Sequence, residues 1–100
     1  IAQTQSRVGV FSGDAGHVSS GSVAVAGGHV TLAEDFTFDG GPDVRVALFD
    51  GQRRVLLGDL RRNAGAQTYD IPAGAAAEDF NEVQLWCERF SVLLAHATLN

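Results

Sequence analysis

Apolar residues alternate with polar ones in short runs along this chain, and glycine or proline closes most of them. A period of two puts alternate side chains on opposite faces of an extended strand, and frequent breaks keep such strands short. Arg7 to Phe11 carries Val8 and Val10 on one side. Ser22 to Ala26 repeats the pattern with Val23 and Val25, and Gly27-Gly28 then supplies a two-residue hairpin turn. His29 to Asp35 returns with Val30 and Leu32 facing together, and Phe36 and Phe38 extend it. Asp39-Gly40-Gly41-Pro42-Asp43 is a turn cluster, because glycine supplies positive φ and aspartate accepts bonds from nearby N–H groups.

Asp43 to Phe49 places Val44, Val46 and Leu48 on one face, and Asp50-Gly51 closes it. Val55 to Leu57 is a short apolar run, Gly58 to Gly65 reads as a loop, and Gln67 to Ile71 alternates until Pro72. Ala73 to Asp79 has the composition for one helical turn. In Glu82 to Leu99, Val83, Leu85 and Cys87 share one parity, whereas Trp86, Phe90, Val92 and Leu94 share the other. Either a bulge near Glu88-Arg89 shifts the parity of a single long strand, the favoured reading, or the strand is central and buried on both faces. The expected fold is all-β, an antiparallel β-sandwich or flattened barrel of about eight short strands. Residues 7–100 form its single domain, with residues 1–6 as an N-terminal extension.

Composition narrows the partners. The formal charge is −5, and no arginine run exceeds a pair (Arg53-Arg54, Arg61-Arg62), so a nucleic-acid partner is not expected. No apolar stretch approaches the roughly 20 residues of a membrane-spanning helix. The sequence opens on Ile1 and contains no methionine, which reads as a processed or trimmed start.

The chemistry gathers at Trp86-Cys87-Glu88-Arg89-Phe90, which holds the only tryptophan and the only cysteine. A single cysteine cannot close an internal disulfide, so Cys87 acts as a thiol, a ligand, a link to another chain, or core filler. Arg89 would share a face with Cys87 on a regular strand and favour the thiolate, and a bulge there would separate the two. Asp35, Asp39 and Asp43 offer oxygen ligands to calcium or, in the simpler reading, cap turns. His29, after the glycine pair, is expected in solvent, and His96 lies late in the last strand.

Several short motifs, in order and over nearly the whole chain after Arg7, resemble the DM-thirteen domain of Skeletor-type proteins. They include His17-Val18-Ser19-Ser20-Gly21, Asp35-Phe36, Gly41-Pro42-Asp43-Val44, Leu57-Gly58-Asp59-Leu60, Gly65 to Pro72, and Trp86 to Val92. The resemblance implies a secreted, periplasmic or lipid-anchored setting and an electron-transfer role centred on Cys87. It places Trp86 as one wall of the site, with His17 and Asp43 nearby. Cys87 and His17 are the residues it offers to a prosthetic group such as haem, and the partner is a redox or other protein. Leu94-Ala95 depart from the pattern, where an aromatic and a glycine are common. The alternative is a binding or scaffold module with Cys87 buried in its core.

Overall fold

The computed structural model describes residues 6–100. Of the expected N-terminal extension only Ser6 falls among them. The alternating runs form β1 (Arg7–Gly13), β2 (Ser19–Ser20), β3 (Ser22–Ala26), β4 (His29–Leu32), β5 (Thr37–Phe38), β6 (Val44–Phe49), β7 (Arg54–Asp59), β8 (Gln67–Asp70), β9 (Glu82–Cys87) and β10 (Val92–Thr98). Eight of them pair in the order β7-β6-β9-β10-β1-β3-β4-β8, every neighbour antiparallel, while β2 and β5 form a separate ribbon. The outermost strands come together through the connection between them. Arg61 N–H donates to the Tyr69 hydroxyl at 3.0 Å, and Arg61 Nη2 donates to Thr68 O at 2.8 Å. The result is a nearly closed barrel, all-β as expected.

Strand β1 joins its two halves. Arg7 to Val10 pair with β3, and Phe11 to Gly13 pair with β10. Val8 and Val10 do share a side, and it is the outer one (46% and 68% exposed), because Phe11 takes the inward place. Gly9 is inward too, and a Cβ there would lie 2.5 Å from Thr98 O, so the adjacent backbone leaves no room for a side chain. The turn between β3 and β4 has φ of 58° at Gly27 and 79° at Gly28, the primed geometry that matches strand twist.

Val23, Val25, Val30, Leu32, Val46, Leu48, Val83 and Leu85 fill the interior, and Phe36 and Phe80 enter it from the connections. The helical turn expected within Ala73 to Asp79 is a single 3-10 turn, Ala77–Asp79.

The last segment differs from the expected single strand. Glu88 to Ser91 is a tight turn, with Ser91 at φ 53°, and it reverses the chain into a hairpin. The irregularity lies instead at Leu94, where pairing steps from Leu93↔Trp86 to Ala95↔Leu85. Leu94 is buried beside this irregularity, while Phe90, in the turn, and Val92, just after it, are exposed. Arg89 therefore shares no strand face with Cys87, and its guanidinium lies 5.4 Å from the Phe90 ring.

Candidate functional site

One end of the barrel gathers the connections 14–18, 39–43, 60–66 and 88–91. Asp14 N–H donates to Leu94 O at 2.8 Å, Phe38 N–H to Asn63 O at 2.8 Å, and Leu60 N–H to Val44 O at 2.9 Å. Among the described residues three non-glycine residues adopt left-handed φ, Ala15 (54°), Asp43 (52°) and Ser91 (53°), and all three lie in these connections. Each such residue costs on the order of 1 kcal/mol, and strain of this kind collects at functional positions.

Cys87 is the last residue of β9, paired with Val44 on one side and Val92 on the other. Its side chain points inward and is 1% exposed. Sγ donates to Pro42 O at 3.2 Å, a bond that uses the thiol proton. The loop carrying Pro42 is fixed close by, since Glu88 N–H donates to Asp43 O at 3.1 Å. Gly41 fits tightly as well: a Cβ there would come within 3.2 Å of Leu94 Cδ1 and 3.7 Å of His17 Cε1.

His17 holds the near end of that loop. Its Nδ1 lies 3.0 Å from Asp39 Oδ1, and its ring stacks on Phe38 with centroids 5.6 Å apart. Asp39 Oδ2 accepts Val18 N–H at 3.1 Å, and Asp39 N–H donates to Val18 O at 3.0 Å. The bond from His17, aided by Val18 N–H, outweighs burial and holds the Asp39 carboxyl below the usual carboxylate value. Asp43 contributes its backbone to the site. Its carboxylate turns to Arg45, accepting from Nε at 3.2 Å and Nη2 at 3.0 Å, and Arg45 Nε also lies 2.8 Å from Asp59 Oδ1. Chiefly through the Asp43 bond, the Arg45 guanidinium is pushed further toward the charged form.

Trp86 does not wall this site. Neighbours on a strand face opposite ways, so with Cys87 inward Trp86 faces outward. The Arg54 guanidinium lies 3.5 Å from the Trp86 ring and donates from Nε to Gln84 Oε1 at 2.8 Å. The indole N–H donates to Glu88 Oε1 at 3.2 Å, and a shallow cleft with Leu56 and Ser91 runs alongside. The fold thus brings Cys87, His17 and Asp43 around the 39–43 loop and sets Trp86 apart.

The sequence carried no signal for the Pro42 carbonyl as partner of the thiol. Nor did it link Asp39 to His17, since the two are 22 residues apart. His29 is exposed, as expected, and pairs with Asp70 at 2.9 Å, while His96 Nδ1 pairs with Asp14 Oδ2 at 2.6 Å.

The three carboxylates do not cap their own turn as expected; two of them reach across to other segments and the third turns to an arginine side chain. Asp35 accepts the N–H and hydroxyl of Ser22, Asp39 serves His17 and Val18, and Asp43 serves Arg45. Among the described residues no group of three or more His, Cys, Asp or Glu is arranged to hold a metal ion. A haem held by Cys87 and His17 does not fit either. The backbone of Gly41 and Pro42 fills the space between them, and the thiol is already bonded to it.

Carboxylate bonds of this kind predict acid sensitivity. Asp35 is held low by Ser22, Asp39 by His17, and Asp50 by the N–H groups of Arg53 and Gln52. Their folded values lie below the unfolded ones, so the stability they give is full above the ordinary aspartate value. It is lost as pH falls through the folded values. Thermal midpoints should be flat above about pH 5 and fall below about pH 4, less steeply in Asp39→Asn. A midpoint that does not change on acidification would count against this assignment.

A family model described as "Electron transfer DM13" matches residues 10–99, a span that contains His17, Asp43, Trp86 and Cys87. No curated protein and no solved structure matches the chain.

Proposed function

The chain belongs to the DM13 electron-transfer family, and on that premise we propose that it is an extracytoplasmic redox accessory domain centred on Cys87. The observation that carries this reading is the position of Sγ, inside the strained end of the barrel and 3.2 Å from the carbonyl of one short loop. That loop is fastened at its near end through Asp39. Its opening frees the thiol without unfolding the sheet, since local openings cost less than global unfolding.

The chemistry this permits is thiol–disulfide exchange with a partner protein. Cys87 loses its proton and attacks one sulfur of the partner's disulfide, that S–S bond breaks, and a mixed disulfide forms. The departing sulfur is reduced and takes up a proton, while the Cys87 sulfur is oxidised. Because this chain has one cysteine, a dithiol of a second partner then attacks the Cys87 sulfur and releases the first partner as its dithiol. The second partner's other thiol displaces Cys87 as the free thiol, so two electrons pass from the second partner to the first. The extracytoplasmic setting is consistent with this chemistry, since disulfides persist in oxidising compartments. There a lone thiol held 1% exposed is shielded from unselective coupling.

Glutathione disulfide is a direct probe. Mass spectrometry of the native protein should show one glutathionyl group on Cys87, formed more slowly than on a free thiol. Asp39→Asn, which weakens the fastening, should react about two- to thirteenfold faster, the effect of about 0.5–1.5 kcal/mol. Reaction only in denaturant would overturn the proposal. A second reading would then remain, favoured by the 1% exposure of Cys87: a binding or scaffold module in which the thiol is core filler. On that reading Cys87→Ala keeps both fold and partner.

A further inference from the structure

The two end strands of the eight-stranded sheet, β7 and β8, are not paired with each other. An unpaired strand edge is a template for another extended chain. The β8 edge is blocked, since Arg61 Nη2 donates to Thr68 O at 2.8 Å and Arg62 Nη2 donates to Ala66 O. The β7 edge is open. Asp50 N–H donates to Arg53 O at 3.1 Å, and hydrogen-bonded pairs alternate along an antiparallel ladder. Val55 therefore bonds to Leu48, and the N–H and C=O groups of Arg54 and Leu56 point away from β6. Among the described residues those groups have no backbone partner.

Apolar surface lies along that edge. Val55 and Leu57 pack against the core yet are only partly buried, whereas Val46 and Leu48 on the neighbouring strand are sealed. Basic side chains frame it, with Arg53 and Arg54 at its start and Arg61 and Arg62 just beyond its end. Residues 53–62 hold four of the seven basic side chains of a chain whose net charge is −5. Their one carboxylate, Asp59, is paired with Arg45 at 2.8 Å. Asp50, just before them, accepts the N–H groups of Gln52 and Arg53, and Asp70 on β8 is paired with His29.

We propose that the β7 edge takes up an extended acidic segment of a partner protein as an added strand, bonded to the backbone of Arg54 and Leu56. The period of two then decides its side chains. Alternate ones lie over Val55 and Leu57 and are apolar, and those between them lie on the outer face beside Arg54 and are carboxylates. A second copy of this chain is a poor occupant, because its own Arg53 and Arg54 would be set against the same charges. The inference does not depend on the redox reading of Cys87.

A short capped peptide of alternating glutamate and valine tests it, in a titration followed by 1H–15N correlation spectra. The amides of Arg54 and Leu56 should shift saturably and exchange more slowly with solvent, and a lysine–valine peptide of the same length should leave them unmoved. Leu56→Pro removes one outward N–H and spares the β6 ladder, a change that an edge strand tolerates. It should weaken the acidic peptide at least about fivefold, the cost of a backbone bond left unmade. If that variant does not fold, Arg53→Glu decides, since Arg53 is exposed and its reversal puts a repelling charge at the edge. It too should weaken the acidic peptide about fivefold or more. Absence of saturable shifts at Arg54 and Leu56, equal response to the two peptides, or unchanged affinity in a folded variant would overturn the proposal. So would pairing of the β7 edge with a second copy in peptide-free protein.

Discussion

Phe36→Ala is expected to lose about 3–5 kcal/mol of stability, a large share of the roughly 5–15 kcal/mol that holds a domain together. Phe36 has no exposed surface, and its ring meets that of Phe11 at 5.2 Å and 60°. Such tilted aromatic pairs add about 0.5–1.5 kcal/mol to the burial itself. The surrounding chain has little freedom to collapse into the void. Phe36 N–H donates to Ala33 O and Gly65 N–H donates to Phe36 O, both at 3.0 Å. Circular dichroism should record a thermal midpoint lower by at least about 12 °C, at about 4–8 °C per kcal/mol. A drop under about 5 °C would mean that the site repacks.

Gly21→Ala should destabilise by about 2–5 kcal/mol for a different reason, combining left-handed strain with overpacking. Gly21 has φ of 94°, and an added Cβ would lie 2.3 Å from Asp35 O and 2.4 Å from Phe36 Cα. Both atoms are backbone, so no side-chain rotation relieves the contact. Gly27→Ala is the control: its φ of 58° is also left-handed, yet nothing lies within 4 Å of the added methyl. It should cost only about 1 kcal/mol, and the difference between the two melts isolates the steric part. Equal losses in the two proteins would remove the clash argument. Because Gly21 lies against Phe36, the double variant should not show the sum of the two effects.

The sequence was most legible where structure is local. Period-two alternation around Gly27-Gly28 determines the β3–β4 hairpin, and the same pattern reads out β6 from Val44 to Phe49. It was least legible where two-residue elements or distant partners decide the outcome. Ser19–Ser20 and Thr37–Phe38 are too short to show a period, although they build the ribbon beside His17. The hairpin at Glu88 to Ser91 was hidden because apolar residues of one parity continue through Phe90 and Val92, which lie exposed in and beside the turn. Around Cys87, the residue types were visible and their arrangement was not. The thiol meets a carbonyl 45 residues earlier, a relation that alternation does not encode.

The division of β1 between β3 and β10 has a kinetic meaning. Its first half has a partner almost as soon as the β3–β4 hairpin exists, whereas Phe11 to Gly13 must wait for residues 95–97. Pairing across so great a sequence distance is slow, so a chain emerging from the ribosome cannot complete its wall until β10 has been made. Until then β1 lacks its second neighbour, and the inward ring of Phe11 has no strand to cover it on that side.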